Sequence, residues 1–254
     1  MNAERHEAGR LRLDELLVRR GLFASRSRAS DAIERGAVLV AGAVAAKPGQ
    51  SVAPSSAIVV DDPAKDYVSR AALKLVAGLN HFAFDPAGAE ALDVGASTGG
   101  FTQVLLERGA THVTAIDVGH GQMAPQLRDD PRVTCIEGAN ARNLSAELLR
   151  GRLPDFVVCD VSFISLTLAL PPALELAVDG ARALVLVKPQ FEAGREAIGK
   201  GGMLKRPEDA PAVAERLRRW LDEIPGWRAM GLQPSPIEGG DGNREFLLAG
   251  IKRG

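Results

Sequence analysis

Residues 89–101 read AEALDVGASTGGF, and residues 113–117 read VTAID. Leu92 and Val94 close a short apolar run, and Asp93 and Gly95 stand where its strand gives out. From about Gly99 a helix is expected, with Phe101, Val104, Leu105 and Arg108 at helical spacing. The second apolar run, Val113 to Ile116, ends on Asp117. Strand, glycine turn, helix, strand and acid make up a nucleotide-binding βαβ unit. Its glycines let the backbone approach a ligand, and its acid grips ribose hydroxyls.

The glycine spacing bears on which ligand. A dinucleotide site wants G-x-G-x-x-G, so that a pyrophosphate can rest on the helix N-terminus. Here Gly95 is followed by Ala96, Ser97 and Thr98, with glycines again only at Gly99 and Gly100. Asp93 sets a negative charge just before the turn, which repels phosphate and suits a cation. S-adenosylmethionine combines a sulfonium, an ammonium and an adenosine ribose, so the methyl donor is the first reading. An NAD-type site and a purely structural glycine turn are the alternatives.

The 254 residues suit one large domain, or a small one plus a mid-sized one. With a formal net charge of −1, the whole chain says nothing for or against a polyanionic partner, so local charge decides. Cys135 and Cys159 lie in apolar runs without a second cysteine or a histidine at metal-ligand spacing. They read as buried thiols of a reducing cytoplasm, and no metal is expected. The start of the chain, with Glu4, Arg5, His6 and Glu7, has no signal-peptide core. No apolar stretch approaches eighteen residues, so no membrane partner is expected. The oligomeric state stays open, with a monomer as the working expectation.

Between Arg10 and Arg35 the chain carries Arg10, Arg12, Arg19, Arg20, Arg26, Arg28 and Arg35, against Asp14, Glu15, Asp31 and Glu34. Leu13, Leu16 and Leu17 form one helical face, which Gly21 closes. Ser25 reads as the N-cap of a second helix with Ala29, Ala32 and Ile33 buried. Arg26 and Arg28 fall in its first turn, where the macrodipole disfavours cations, and this points to an external anion such as phosphate. An ordinary solvated helical face is the bland alternative. Gly36 ends the helix, and short strands follow at 38–40, around Val44 and at 57–60. Asp61–Asp66 reads as a linker.

In the remainder, Ser69 is expected to cap a helix with Leu73, Leu75, Val76 and Leu79, and Lys74 leaves it near its start. Alone, Lys74 is as easily a surface lysine. Strands are expected at 133–136, 155–160 and 183–187. The first leads to Asn140, at an adenine rim or as a loop cap. The others end on Asp160 and on Lys188-Pro189. A helix from Leu166 to about Val178, a mobile flap at 189–206 and a helix at 207–223 follow. Trp227–Leu232 and Glu245–Ala249 close the sheet as an antiparallel pair. In an open α/β sheet the C-terminal strand ends form the site, so Asp93, Asp117, Asp160 and Lys188 converge on one edge.

Two resemblances sharpen this. RLDELLVRRGLFASRSRASDAIERGAVLVAG resembles the RNA-binding motif of the small-subunit ribosomal protein S-four type. It implies an N-terminal α+β RNA-binding domain over 1–60, using Arg10, Arg12, Arg19, Arg20, Arg26 and Arg28. A linker at 61–68 and a catalytic domain at 69–254 complete the division. YVSRAALKL, LDVGASTGGFT, CDVSFISL, LVKPQFE and GNREFLL are similar to the TlyA (hemolysin A) family of rRNA 2′-O-methyltransferases. That likeness implies a Rossmann-like class I methyltransferase fold of the FtsJ-like group. It also implies S-adenosylmethionine as donor, ribosomal RNA or a ribosomal subunit as partner, and a cytoplasmic enzyme. Its catalytic tetrad falls on Lys74, Asp160, Lys188 and Glu245. Ala71-Ala72, where relatives often have glycine, is a small departure. The donor site implied is Asp93, Gly95, Ser97, Thr98, Gly99, Gly100, Phe101, Asp117, Asn140 and Asp160.

The tetrad has a physical logic. A ribose 2′-OH is a poor nucleophile until its proton leaves. A lysine with the ordinary pKa of ~10.4 is about one part in a thousand neutral near pH 7.4, a handicap of roughly 4 kcal/mol. Lys188 is expected as proton acceptor, its pKa lowered by Lys74 and the sulfonium, with Lys74, Asp160 and Glu245 positioning and tuning it.

Three other readings compete: a non-catalytic assembly factor with a vestigial Rossmann domain, a membrane-lytic toxin, and a dehydrogenase, which wants glycine where Ser97 stands. The resembled family has a longer form, active on both subunits, and a shorter one restricted to the large subunit. The longer carries a helix beyond the final strand. Here Lys252-Arg-Gly254 is too short for one, so the sequence points to a large-subunit rRNA cytidine.

Overall fold

The computed structural model describes residues 9–240 and 242–254. The expectations for residues 1–8, on a leader and on helix content, lie outside the described residues. The chain divides into two compact units, one ending at Asp66 and one spanning Tyr67–Gly254.

The first unit holds β1 (Leu11–Arg12), α1 (Leu13–Arg19), α2 (Arg26–Glu34), β2 (Val38–Val40), β3 (Ala43–Val44), β4 (Ser51–Val52) and β5 (Ile58–Val60). Leu13, Leu16, Leu17, Ala29, Ala32 and Ile33 meet in its core, as their helical spacing requires. Ser25 caps α2 by accepting the Arg28 N–H at 3.3 Å. Gly21 and Gly36 adopt the left-handed conformation that ends a helix. Beyond the foreseen strands, β1 pairs antiparallel with β4. Asp61–Asp66 is no free tether. Asp62 is buried, paired with Arg35 at 2.9 Å, and Ala64 is buried beside it. This stretch belongs to the first unit.

The second unit runs α3 (Ala72–Phe82), β6 (Glu90–Val94), α4 (Gly100–Glu107), β7 (His112–Asp117), α5 (Pro125–Arg128), β8 (Val133–Glu137) and β9 (Phe156–Cys159). It continues through α6 (Leu166–Ala169), α7 (Pro171–Leu176), β10 (Arg182–Val187), α8 (Pro189–Glu192), α9 (Ala210–Glu223), β11 (Trp227–Pro234) and β12 (Phe246–Lys252). The seven strands lie in the order β11-β12-β10-β9-β6-β7-β8. All neighbours from β10 to β8 are parallel, while β12 is antiparallel to both β10 and β11. Both faces are covered, which is why the central strands are apolar throughout rather than alternating. Val157 and Cys159 face the core under α6, α7 and α9, while Phe156 and Val158 face that under α3 and α4.

Three local expectations change. The helix expected from Leu166 to Val178 is two helices, because Pro171 and Pro172 cannot continue the first and suit the opening turn of the second. Ser69 Oγ accepts the Ala71 N–H at 3.2 Å, so it caps the turn before α3 rather than α3 itself. Cys135 sits half-buried on the edge strand β8, and only Cys159 is fully enclosed. Residues 189–206, expected as a flap, are folded into short turns. Asn243 holds them, accepting the Leu204 N–H and donating to Gly202 O.

Candidate active site

The strand order reverses direction between β6 and β9, and the chain exits of those strands open a crevice there. Gly95 follows β6 with φ +82°. A Cβ at this position would lie 3.0 Å from Asp160 O, so only glycine lets the two strand exits come this close. A cavity of about 450 Å³ lies along this edge, lined by Gly95, Ser97, Asp117, Asn140 and Asp160 with Val118 and Val161 among its walls. A second cavity of about 150 Å³ takes in Ser69, Thr98, Gly100, Phe101, Asp160 and Lys188. Gly95, Ser97, Asp160 and Ser162 line both, so the two chambers adjoin at these residues.

Lys188 leaves the end of β10 and lines the smaller chamber, beside the shared Asp160 and Ser162. Its Nζ donates to Ser162 Oγ at 2.8 Å. Asp160 Oδ1 lies 2.6 Å from the same Nζ, off the hydrogen-bonding direction, so that contact is ionic. Behind them Lys74, in the first turn of α3, donates to Glu245 Oε2 at the entry of β12. Both are buried, with 6% and 4% exposure, and neither lines a chamber. Burial pushes the Glu245 carboxyl above its usual range, opposed by the charges of Lys74 and Lys188. The four tetrad residues therefore form two ion pairs, one open to the cleft and one sealed. This alters the charge argument made from the sequence, because Glu245 answers the Lys74 charge that was to act on Lys188.

The donor-site residues divide. Asp117 accepts the Ser97 N–H on Oδ2 at 2.8 Å and the Gly119 N–H on Oδ1 at 2.7 Å, which aims its carboxylate along the chamber wall. Ser97 carries φ +47°, a left-handed backbone imposed by the turn. Asn140 lines the larger chamber, and its Oδ1 caps the following turn by accepting the Arg142 N–H at 3.0 Å. The cap foreseen for it is therefore present, and its place on the chamber wall leaves the adenine-rim role as a proposal. Gly99 lies outside both chambers. It turns the chain into α4 at φ +95°, where a Cβ would come 2.5 Å from Leu127 Cδ1.

Asp93 needs the largest correction. It was expected to present charge to the ligand, yet it has no exposure and lines neither chamber. Its Oδ2 accepts from Thr102 Oγ1 at 2.7 Å, while its Oδ1 has no hydrogen-bond partner among the described residues. Burial pushes its carboxyl up to about 7.

Three residues that the sequence did not assign to the site join it, Ser69 having been read only as a helix cap. Ser162 holds Lys188, and Ser69 walls the smaller chamber. Phe163 is 90% exposed at the rim of the larger one, with its ring centroid 5.1 Å from that of Phe191. Its φ of +65° is a rare conformation for an aromatic residue. The signal for Ser162 and Phe163 was position alone, directly after the strand-end Asp160.

In the first unit the six candidate RNA-contacting arginines all have internal partners. Asp14, buried beneath them, pairs with Arg12 at 2.9 Å and Arg26 at 3.0 Å. Those guanidinium groups, Arg12 foremost, hold its carboxyl down at about 2. Arg28 donates to Ala64 O and Lys65 O, Arg19 pairs with Glu15, Arg10 donates to Ser51 Oγ and Arg20 to Pro54 O. The counter-charge to Arg26, expected from outside, is supplied by Asp14.

Comparison with known proteins is consistent with this geometry. Residues 67–252 match the FtsJ-like methyltransferase model and residues 11–58 the S4 domain. The chain is 47% identical over 242 residues to the 16S/23S rRNA (cytidine-2′-O)-methyltransferase TlyA of Mycobacterium tuberculosis, covering 95% of this chain and 90% of that one. The chain belongs to the TlyA family. Another relative is the 23S rRNA (cytidine-2′-O)-methyltransferase TlyA of Campylobacter jejuni, 36% identical over 73% of this chain and 71% of its own. A solved structure from Streptococcus thermophilus, named a hemolysin, superposes with a TM-score of 0.75 at 39% identity, covering 97% of this chain and 90% of that one. As an FtsJ-like member of the TlyA family the protein is a methyltransferase. Among the described residues no helix is long and apolar enough to cross a membrane.

Proposed function

We propose that this TlyA-family chain transfers a methyl group from S-adenosylmethionine to the ribose 2′-OH of a cytidine in large-subunit ribosomal RNA. The observation that carries the reading is Lys188, fixed in the smaller chamber by Asp160 and Ser162, which line both chambers. A proton acceptor at the junction of a nucleoside-sized chamber and a smaller one is what an in-line transfer to a hydroxyl requires.

The residues present fit the donor. The close approach at Gly95 leaves room that a side chain would fill, and Asp117 offers a carboxylate for ribose hydroxyls. Asn140 offers an amide at the end of the larger chamber. Gly95, Ser97, Thr98, Gly100, Phe101 and Ser69 would hold the methionine end. When bound, the donor supplies an electrophilic methyl carbon and a positive charge on sulfur. Lys188 Nζ, once it has released a proton to solvent and stands as the neutral amine, takes the 2′-OH proton, Asp160 keeps that amine aimed, and the sealed Lys74–Glu245 pair fixes the entry of α3 against β12. The exposed Phe163 ring, backed by the half-buried Phe191, offers a stacking surface to the acceptor base. The first unit grips the RNA with Arg10, Arg12, Arg19, Arg20, Arg26 and Arg28, whose internal partners hold them in place for phosphate. Acting on ribosomal RNA, the protein works in the cytoplasm.

The large subunit is favoured because 23S rRNA is common to the names of both TlyA relatives. The test is incubation with isotopically labelled donor and each isolated ribosomal subunit, for wild type and Lys188→Ala. Labelled 2′-O-methylcytidine in large-subunit rRNA is expected from the wild type. The variant should give none while keeping most of its donor affinity. Equal labelling of the small subunit overturns the subunit assignment, and a near-wild-type rate in Lys188→Ala overturns the mechanism.

A further inference from the structure

We propose a second nucleotide subsite for the substrate RNA, in the cavity of about 540 Å³ between the 165–167 segment and α9. There Trp220 stacks a base neighbouring the target, and Arg216 and Arg219 take its phosphate. The inference rests on the RNA-methylating reading and extends it to the acceptor's flank.

Four observations carry it. First, the cavity continues the catalytic edge. Phe163 meets Phe191 at the rim, and two and one residues further on Ser165 Oγ donates to Glu192 Oε2 at 2.6 Å. These are successive rungs between the same two segments, and the second opens into the cavity. Two residues of chain span at most about 7 Å, so the cavity begins close to the acceptor rim.

Second, the wall contains one of only two tryptophans in the chain. Trp220 is partly buried, packed on the core along one edge and facing the cavity along another. A half-exposed indole beside cations is the arrangement that stacks unpaired bases.

Third, the arginines are set out for an anion. Arg218 is held by Glu215 and Asp222 along the same helix. Arg219 enters no ion pair among the described residues, and Arg216 only donates to the Glu192 backbone oxygen. Of the nearby acids, Glu192 already accepts from Ser165 Oγ and the Leu166 N–H, and Glu223 sits exposed at the helix end.

Fourth, Arg216 also lines an adjoining cavity of about 290 Å³ with Lys205, where Arg206 is paired with Glu208 and Asp209 and leaves Arg216 and Lys205 as the cations without a carboxylate partner among the described residues. A single-stranded RNA leaving the catalytic edge meets these two next.

The test uses the intact protein with its donor site saturated by S-adenosylhomocysteine, so that added nucleotide cannot occupy it. Cytidine 5′-monophosphate is titrated while tryptophan emission is followed. Trp227 is buried, so quenching by a base in solution reports Trp220. Saturable quenching is expected, lost in Trp220→Leu and weakened several-fold by Arg219→Ala and by using cytidine without phosphate. In methylation assays the KM for ribosomal subunits should rise about tenfold in both variants, with kcat and donor affinity unchanged. Absence of quenching overturns the subsite. Quenching with an unaltered KM in both variants assigns the cavity to a free nucleotide and overturns its role in RNA recognition. Failure of the wild type to methylate rRNA counts instead against the functional reading, because the quenching experiment involves no turnover.

Discussion

Replacing Asp93 by asparagine should flatten the pH dependence of the methyltransferase unit's stability. In the folded chain burial raises this carboxyl from the usual 3.8 to about 7, while in the unfolded chain it titrates normally. The unfolded state thus sheds its proton near pH 4 and the native state only near 7. Asp93 therefore contributes most to stability below the unfolded value and loses that contribution as pH rises through 7. Between pH 5 and pH 8 the loss is roughly 3 kcal/mol. Asparagine keeps an acceptor for Thr102 Oγ1 but places an amide nitrogen where Asp93 Oδ1 has no partner among the described residues. That costs about 1–3 kcal/mol at every pH and cancels from the comparison. The assay is urea unfolding of wild type and Asp93→Asn at pH 5 and pH 8, followed by tryptophan fluorescence. Both tryptophans, Trp220 and Trp227, lie in the second unit, so the signal reports that unit alone. The stability difference should move in the variant's favour by roughly 3 kcal/mol on going to pH 8. An identical difference at both pH values would show that Asp93 is already ionised in the native protein, and the argument from its burial fails.

Two further outcomes follow from the ion pairs. Glu245→Gln leaves Lys74 buried without its counter-charge and should cost about 3–5 kcal/mol, measured by thermal unfolding. The Lys74→Met/Glu245→Gln double variant should recover much of that stability and none of the methyl transfer; recovered turnover would remove the pair from the catalytic machinery. Asp14→Asn should weaken the first unit by roughly 2 kcal/mol at pH 7. The depressed carboxyl stabilises above its unfolded value, and this is lost as pH falls through about 2. Hydrogen exchange over residues 11–60 should therefore show the deficit at pH 7 and its disappearance at strongly acid pH.

The parts of this molecule that rest on local pattern could be read from the sequence. The β6–α4–β7 unit, the Ser25 cap and the strand-end positions of Asp117, Asp160 and Lys188 all follow from periodicity and turn chemistry. Asp93 was misread although the same logic was available. Strand alternation sends Leu92 and Val94 to one face and puts Asp93 with Ala91 on the other, under α4, away from the cleft. The break between α6 and α7 was likewise written in Pro171-Pro172. Other features were out of reach because they are tertiary. Arg26 meets Asp14 across two helices, and no local pattern reports a buried acid beneath an arginine cluster. Trp220 was not singled out from the sequence, because only the packed α6 and α8 segments leave one of its edges open.

The Lys74–Glu245 contact joins residues 171 positions apart, through a strand that is inserted between two others. On the ribosome these residues are made about ten to thirty seconds apart, at roughly 5–20 residues per second. For that interval Lys74 has no carboxylate to accompany it into the interior, and β10 and β11 have no strand to bridge them. The Gly95–Asp117 segment thus leaves the ribosome well before the Lys74–Glu245 pair can close. On the proposed mechanism, competence for chemistry arrives late in synthesis, with the strand that brings Glu245, in a protein whose proposed substrate is part of the machine that is making it.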